Sequence, residues 1–299
     1  MGGGRAVTAL LAQTRRPRAQ HRSGSALLPL PATVWVLVVF AVPTVILLAS
    51  SFLTYDGVRV GGPVTAENYA ALFRDAYFWS VLWDTVWMSI VVGAVCTSAG
   101  LLLAYFIVRS GSRWRSLVLL VVVSPLVSSV VVRTYGWLVL LQDDGLFNQV
   151  LVWTGAIRDP IAFIGSRGGV IAGLVHVLLP FAVFTAVSSV QSVDPVLERA
   201  SRDLGAGPVR TFFRVTLPLI RPGLISGFML TFAISLGAYA TAAVLGGGRV
   251  QTLATLVRDR MVVSLEWGQA AAIAVVLLVV SVGTVLALLW AGQRSRTEV

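Results

Sequence analysis

The chain contains no lysine and a single cysteine, and few of its residues carry charge. All 23 basic residues are arginine, and only 12% of the 299 residues are charged. A phosphate-binding loop of the G-x4-G-K-[ST] type requires its lysine, so the chain does not hydrolyse ATP by that route. Cys96 alone forms neither an internal disulfide nor a cysteine-based metal site. The sequence therefore predicts no catalytic residues and no metal centre.

Apolar sequence is abundant instead, since 57% of the residues are hydrophobic. A helix needs about 20 residues to cross a ~30 Å hydrocarbon core. Six apolar runs are long enough, and we expect an all-α integral membrane protein with six transmembrane helices. The runs are Pro31–Leu53, Phe78–Val108, Leu117–Leu141, Val170–Ser192, Gly223–Gly246 and Trp267–Ala291.

The distribution of arginine predicts the orientation of these helices. With the N-terminal tail inside, the inner segments hold fifteen arginines and the outer segments seven. Because cytoplasmic loops are enriched in arginine, both termini should be cytoplasmic. The same distribution accounts for the net charge of +10 without a nucleic acid partner. We expect a disordered cytoplasmic tail, a first transmembrane helix with an outer loop, a core, and a second cytoplasmic tail, at residues 1–26, 27–64, 65–292 and 293–299.

A signal peptide is the rival interpretation of the N-terminal region. The apolar run from Pro31 to Leu53 is too long for the hydrophobic part of a signal peptide, and further spans follow it. We therefore interpret this run as an uncleaved transmembrane helix.

The polar segment at residues 193–222, hereafter the coupling loop, predicts two short helices outside the bilayer. Asp194 suits the N-cap of the first helix, which should reach about Leu204 and end at Gly205 or Gly207. The second helix should begin after Gly207. Two prolines, Pro218 and Pro222, are expected to end it.

The coupling loop resembles the "EAA" loop of ABC-importer permeases, whose pattern is E-A-A-x3-G-x9-I-x-L-P. Gly205 is followed after nine residues by Val215-Thr216-Leu217-Pro218. Aligned on Gly205, the E-A-A positions hold Arg199, Ala200 and Ser201, and Glu198 lies one residue early. The resemblance implies that this loop docks on a separate ATPase. The candidate coupling residues are Glu198, Ala200, Ser201, Asp203, Gly205, Ala206, Val215, Leu217 and Pro218.

Three shorter motifs are similar to the spermidine/putrescine-type branch of these permeases. They are Thr65-x-Glu67-Asn68-Tyr69, Val131–Trp137, and Gly237-Ala238-Tyr239 with Leu245-Gly246-Gly247. The resemblance implies the type I ABC-importer permease fold in a bacterial inner membrane. It also implies a second permease, copy or paralogue, an ATPase dimer that binds the ATP, a solute-binding protein and surrounding membrane lipid. The chain would then be a transport subunit without a cofactor of its own, for a small solute such as a polyamine.

Polar side chains inside the predicted spans are candidates to line a translocation path: Asp84, Arg133, Tyr135, His176 and Tyr239. Charged groups are costly at membrane depth, so Arg133 either snorkels outward or pairs with Asp84 as a structural residue, or it lines the path. His176 either bonds a carbonyl freed by the nearby Pro180, or it acts as a proton relay or contacts the solute. Tyr239 either packs in the core or lines the path.

Two other classes of function compete with the ABC-permease interpretation. An ion-coupled secondary transporter or channel needs ionisable groups at mid-membrane, and only Asp84, Arg133 and His176 are available. A membrane scaffold without a transport role is the third alternative.

Overall fold

The structure is a computed structural model and describes residues 30–55 and 60–297. The chain divides into two units, residues 1–46 and 47–299. Helix α1, Leu30–Ser51, is apolar and has Pro43 in its interior. The predicted tail at residues 1–26 lies outside the described residues.

The second unit begins with a small extramembrane element. An antiparallel hairpin, β1 (Leu53–Tyr55) and β2 (Val60–Val64), is followed by helix α2 (Glu67–Arg74). Asn68 Nδ2 donates to the carbonyl oxygens of Ser51, at 2.9 Å, and of Leu53, at 3.1 Å. In the described part of the predicted outer loop, a side-chain amide of α2 therefore satisfies backbone carbonyls at the end of α1.

Helices account for the rest of the described chain. In order they are α3 (Ala76–Arg109), α4 (Arg115–Val127), α5 (Val130–Leu141), α6 (Leu146–Trp153), α7 (Arg167–Gln191), α8 (Pro195–Asp203), α9 (Pro208–Thr211), a π-helical segment (Phe212–Thr216), α10 (Leu217–Leu236), α11 (Tyr239–Leu245), α12 (Leu253–Arg258), a second π-helical segment (Asp259–Val263) and α13 (Trp267–Thr297). Since α13 continues to Thr297, the predicted tail at 293–299 is helical over its described part.

The centre of the second unit is formed by α3, α7 and α10, which pack against one another. Small residues allow this close approach, as is usual between helices in lipid. A Cβ at Gly223 of α10 would lie 1.6 Å from Ser189 Oγ of α7, and a Cβ at Gly227 would lie 2.5 Å from Thr185 Oγ1. A side chain at either glycine would therefore force α7 and α10 apart.

Five helices are long and apolar enough to cross a membrane, and a bent pair raises the number to six. The all-α membrane fold is thus confirmed. The bent pair, Arg115–Val127 and Val130–Trp153, turns by 109° at its break, so the predicted span Leu117–Leu141 is not one continuous helix. The reason lies at Ser128 and Ser129, whose ψ angles of 144° and 138° are extended rather than helical.

The fifth predicted span, Gly223–Gly246, differs from the structure at both ends. Helix α10 ends at Leu236, and a new helix begins at Tyr239. At the other end, the helical path runs unbroken from Pro208 to Leu236. The expectation that prolines end the second loop helix is therefore wrong.

A π-helical segment explains the continuity through Pro218. Across Phe212–Thr216 the hydrogen bonds widen, and the Leu217 amide donates to the carbonyl oxygen of Phe212. Such wide turns shift the register of the hydrogen-bond ladder. Pro218 follows directly and has no amide to donate, so the widened turn before it accommodates the proline without ending the helix. Pro222 lies inside α10, as helices buried in membranes allow.

Candidate functional site

The first helix of the coupling loop, α8, has both ends capped as its sequence predicts. Asp194 Oδ1 accepts a hydrogen bond from the Val196 amide at 2.8 Å. At the other end, the Gly205 amide donates to Arg202 O and the Ala206 amide to Ser201 O, at 2.8 and 3.1 Å. This pattern is the Schellman motif, which needs a left-handed residue, and Gly205 supplies it with φ of +84°. The predicted bounds of this helix are confirmed.

Glu198 lies at the centre of the site and is 3% exposed. Its Oε1 accepts hydrogen bonds from Arg109 Nε at 3.3 Å and from Thr216 Oγ1 at 3.0 Å. Arg202, one turn along α8, approaches the other carboxylate oxygen at 3.7 Å. We call Arg109, Glu198 and Thr216 the Glu198 cluster. It connects the last turn of α3 with both halves of the coupling loop.

Arg109 extends the same cluster to the end of α7. Its Nη2 donates to the carbonyl oxygens of Val190, at 3.3 Å, and Val193, at 2.8 Å. A cation is favourable at a helix C-terminus because the last carbonyls have no intrahelical donor. One guanidinium therefore binds three chain segments: the last turn of α3, the end of α7, and α8.

The rest of the coupling loop holds its two helices together and leaves one surface open. Ser201 and Thr211 hydroxyls lie 3.1 Å apart and join α8 to α9. Leu217 packs against the buried residues at the loop end of α3 and α7. Of the remaining candidates, Ala206 and Val215 are half-buried, and Ala200, Asp203 and Pro218 are exposed.

The open surface combines apolar and basic side chains. Leu204 is 89% exposed, Val209 68% and Phe213 60%. Arg199 and Arg210 are also exposed on this loop. Large apolar side chains outside a bilayer are normally covered, so this surface has the composition of a protein contact.

Sequence reasoning missed Arg109 and Thr216 as members of the site. Glu198 is separated from Arg109 by 89 residues and from Thr216 by 18. One feature of the sequence points to Arg109, because it is the first charged residue after the long apolar run of α3. Its position in the sequence does not indicate that Glu198 is its partner.

The predicted pair of Asp84 and Arg133 is wrong. Asp84 Oδ2 accepts a hydrogen bond from Arg167 Nη2 at 2.9 Å. Arg133 Nη1 instead donates to the carbonyl oxygen of Pro125, across the break between α4 and α5. The prediction matched depths along straight helices, and the bend at Ser128 removes that basis.

The other candidate path residues lie in separate surroundings. The ring of His176 contacts that of Trp137, with centroids 5.5 Å apart, and among the described residues no hydrogen bond joins it to a carbonyl near Pro180. Tyr239, at the start of α11, lines a cavity of about 210 Å³ with Asp259. Tyr135 is 58% exposed. Among the described residues, no hydrogen bond, ion pair or ring contact joins any two of the five candidates, but His176 lines a cavity with Pro125, whose carbonyl accepts from Arg133.

No group of three or more His, Cys, Asp or Glu side chains in the described ranges could hold a metal ion. A bundle of apolar helices, with a polar loop of two helices joined to it by one ion pair and by hydrogen bonds, defines a multi-pass membrane protein of the transporter class. The sequence of the bundle and loop matches one family model, the binding-protein-dependent transport system inner membrane component, over residues 97–297. The chain belongs to this family. It is the permease component of an ABC importer, a transport subunit and not an enzyme.

Individual relatives cover most of the chain. It is 34% identical over 246 residues to the spermidine/putrescine transport system permease protein PotB of Haemophilus influenzae, covering 82% of this chain and 86% of that protein. It is 30% identical over 261 residues to the protein of the same name from Escherichia coli K12, covering 87% and 94%.

The fold is similar to that of a bacterial ABC transporter involved in the import of the acidic polysaccharide alginate. The TM-score is 0.74, at 20% identity, with 90% of this chain and 94% of that chain covered. These matches do not favour an ion-coupled transporter or channel.

Proposed function

We propose that the chain forms half of the translocation path of an ATP-driven importer for a polyamine or a related small cation. The cargo is inferred from relatives named for spermidine and putrescine, which match more than four-fifths of the chain. The observation that carries the mechanism is the coupling loop, with its apolar and basic surface fixed to three chain segments by the Glu198 cluster.

The partners follow from that surface. An ATPase dimer binds ATP and receives the coupling loop, with Leu204 and Val209 as apolar anchors and Arg210 beside them. A second permease, a copy or a paralogue, completes the path, and a solute-binding protein delivers the cargo. The Glu198 cluster supports this role because an ion pair that joins the loop to α3 and α7 moves those helices when the loop moves.

The coupling loop is proposed to face the cytoplasm, together with both termini. The fifteen-to-seven asymmetry of arginine supports this orientation. The ion pairs fit it as well. Asp84 and Arg109 bracket the 24 uncharged residues 85–108 of α3, which span about 36 Å at 1.5 Å per residue. The Asp84–Arg167 pair then lies at the outer surface.

Tyr135, His176 and Tyr239 are proposed to contact the cargo during its passage. Tyr239 is the strongest of the three, because its cavity also contains the amide of Gln251 and the carboxylate of Asp259, which a cargo ammonium would share with Arg258, its partner at 3.0 Å. An aromatic face and a carboxylate are the groups that attract an ammonium ion. Asp84 is proposed to act at the outer opening, and Arg133 to hold the bend.

The test is a Leu204→Asp variant in the complete complex, with Leu204→Met as the matched control. A charge at this anchor should lower ATP-dependent uptake of labelled spermidine at least tenfold, while the methionine variant keeps wild-type uptake. Protein levels in the membrane are measured for both. Wild-type uptake by Leu204→Asp contradicts the docking role of the loop. Absence of ATP-dependent uptake of both labelled spermidine and labelled putrescine by the wild-type complex contradicts the proposed cargo.

A further inference from the structure

A cavity of about 460 Å³ lies between the last turns of α3 and the first helix of the coupling loop. Leu102, Phe106 and Arg109 line it from α3. Glu198, Arg199 and Arg202 line it from α8. The cavity therefore has an apolar wall and a basic wall, which meet at Arg109.

The basic wall carries more positive charge than its own carboxylate neutralises. Arg109 is paired with Glu198 at 3.3 Å and is 16% exposed at its side chain. Arg202 is 52% exposed and lies 3.7 Å from the same carboxylate. Arg199 is exposed and makes no hydrogen bond or ion pair with any residue that the structure describes. Three arginines and one glutamate leave a net charge of +2 without an anion.

The apolar wall lies where lipid would be expected. Leu102, Phe106 and Arg109 follow one face of α3 at helical spacing, and Leu102 is 71% exposed. Residues 85–108 carry no charge and extend for about 36 Å, slightly more than the hydrocarbon core. Arg109 is therefore at the level of the lipid headgroups, with Leu102 and Phe106 below it in the acyl region.

We propose that this cavity binds one anionic phospholipid such as phosphatidylglycerol. Its phosphate would contact Arg199 and Arg202, and one acyl chain would lie along Leu102 and Phe106. Basic pockets beside transmembrane helices on the cytoplasmic side are suited to anionic headgroups. A free phosphate would satisfy the arginines alone, whereas a lipid also covers the exposed apolar wall. The assignment to the cytoplasmic leaflet rests on the orientation proposed above.

The test measures lipid binding to the delipidated complex, purified with its partner subunits, by native mass spectrometry. Phosphatidylglycerol and phosphatidylcholine are titrated separately. Wild-type protein should bind phosphatidylglycerol roughly tenfold more tightly or better. A basic residue near an anionic surface contributes roughly fivefold in affinity, so Arg199→Gln with Arg202→Gln should weaken phosphatidylglycerol binding roughly twenty-fivefold. Arg214→Gln with Arg221→Gln, on the same loop but outside the cavity, is the matched control and should change binding less than about twofold.

Three outcomes overturn the proposal. In the first, wild-type protein binds both lipids equally. In the second, inorganic phosphate competes with phosphatidylglycerol, and Leu102→Gln weakens neither, which identifies a free-anion site. In the third, the double variant retains the lipid and loses the ATPase during purification, which assigns the surface to that partner. Because binding is measured without ATP or cargo, its failure is distinguishable from a failure of transport.

Discussion

Removal of Arg109 should loosen the whole coupling loop. Arg109→Leu would leave the carboxylate of Glu198, which is 3% exposed, with the hydroxyl of Thr216 and a distant Arg202. Breaking a buried ion pair from one side costs about 3–5 kcal/mol. Arg202 is half exposed and can move closer, so we expect the lower end of that range, about 3 kcal/mol.

Hydrogen exchange measures this loss directly, because it reports the free energy of local opening. A loss of about 3 kcal/mol corresponds to a roughly 150-fold faster exchange of the slowest amides at residues 194–216. Glu198→Leu should accelerate exchange only about tenfold, because Arg109 keeps the carbonyls of Val190 and Val193 as acceptors. The double variant should recover much of the loss, since an apolar replacement of a buried pair is often neutral.

Arg202→Leu is the control, because it removes the exposed partner of the same carboxylate. An exposed ion pair contributes about 1 kcal/mol at most, so exchange should accelerate by no more than about fivefold. If Arg109→Leu changes the exchange of the loop by less than about threefold, the buried pair does not stabilise the loop. If the effects of Arg109→Leu and Glu198→Leu simply add, as they do for distant sites, the two residues are not coupled.

Two further predictions concern packing and orientation. Gly223→Ala should lower the thermal stability of the purified protein because its Cβ would overlap Ser189. Ser189→Gly should restore much of that stability in the double variant. Equal losses of stability with and without the Ser189 side chain would show that this contact does not cause the loss. In a Cys96→Ser background, Leu204→Cys should react with a membrane-impermeant thiol reagent only after the cells are opened. Asp144→Cys, in an exposed turn, should react in intact cells. Labelling of Leu204→Cys in intact cells would contradict the proposed orientation.

The features that sequence could predict are those set by local chemistry. Asp194 and Gly205 bound the first loop helix because capping needs only the residues within one turn. The apolar runs predicted the spans for the same reason, since hydropathy is a local property. The five unbroken spans and the position of the coupling loop follow from such signals.

The features that sequence could not predict depend on the rotation of helices and on distant partners. Apolar runs do not reveal which face of α3 meets α8, so the contact of Arg109 with Glu198 was not predicted. The predicted pairing of Asp84 with Arg133 was wrong for a similar reason. Arg167, the actual partner of Asp84, lay outside the predicted spans, and nothing in the hydrophobic pattern indicates the break at Ser128. Pro218 was expected to end a helix because proline lacks an amide donor, and no feature of the sequence indicates the π-helical segment that precedes it.

That π-helical segment joins the second helix of the coupling loop to α10 as one long helix. Because the backbone stays helical through Phe212–Thr216 and past Pro218 and Pro222, residues 208–236 form one helical path of 29 residues, about 43 Å long. Turning such a rod by about 10° around one end displaces the other end by roughly 7 Å. A small rotation at Val209, outside the membrane, would then reach Leu236 as a movement larger than a helical turn. The amplification comes from the length of the rod alone and needs no flexible joint.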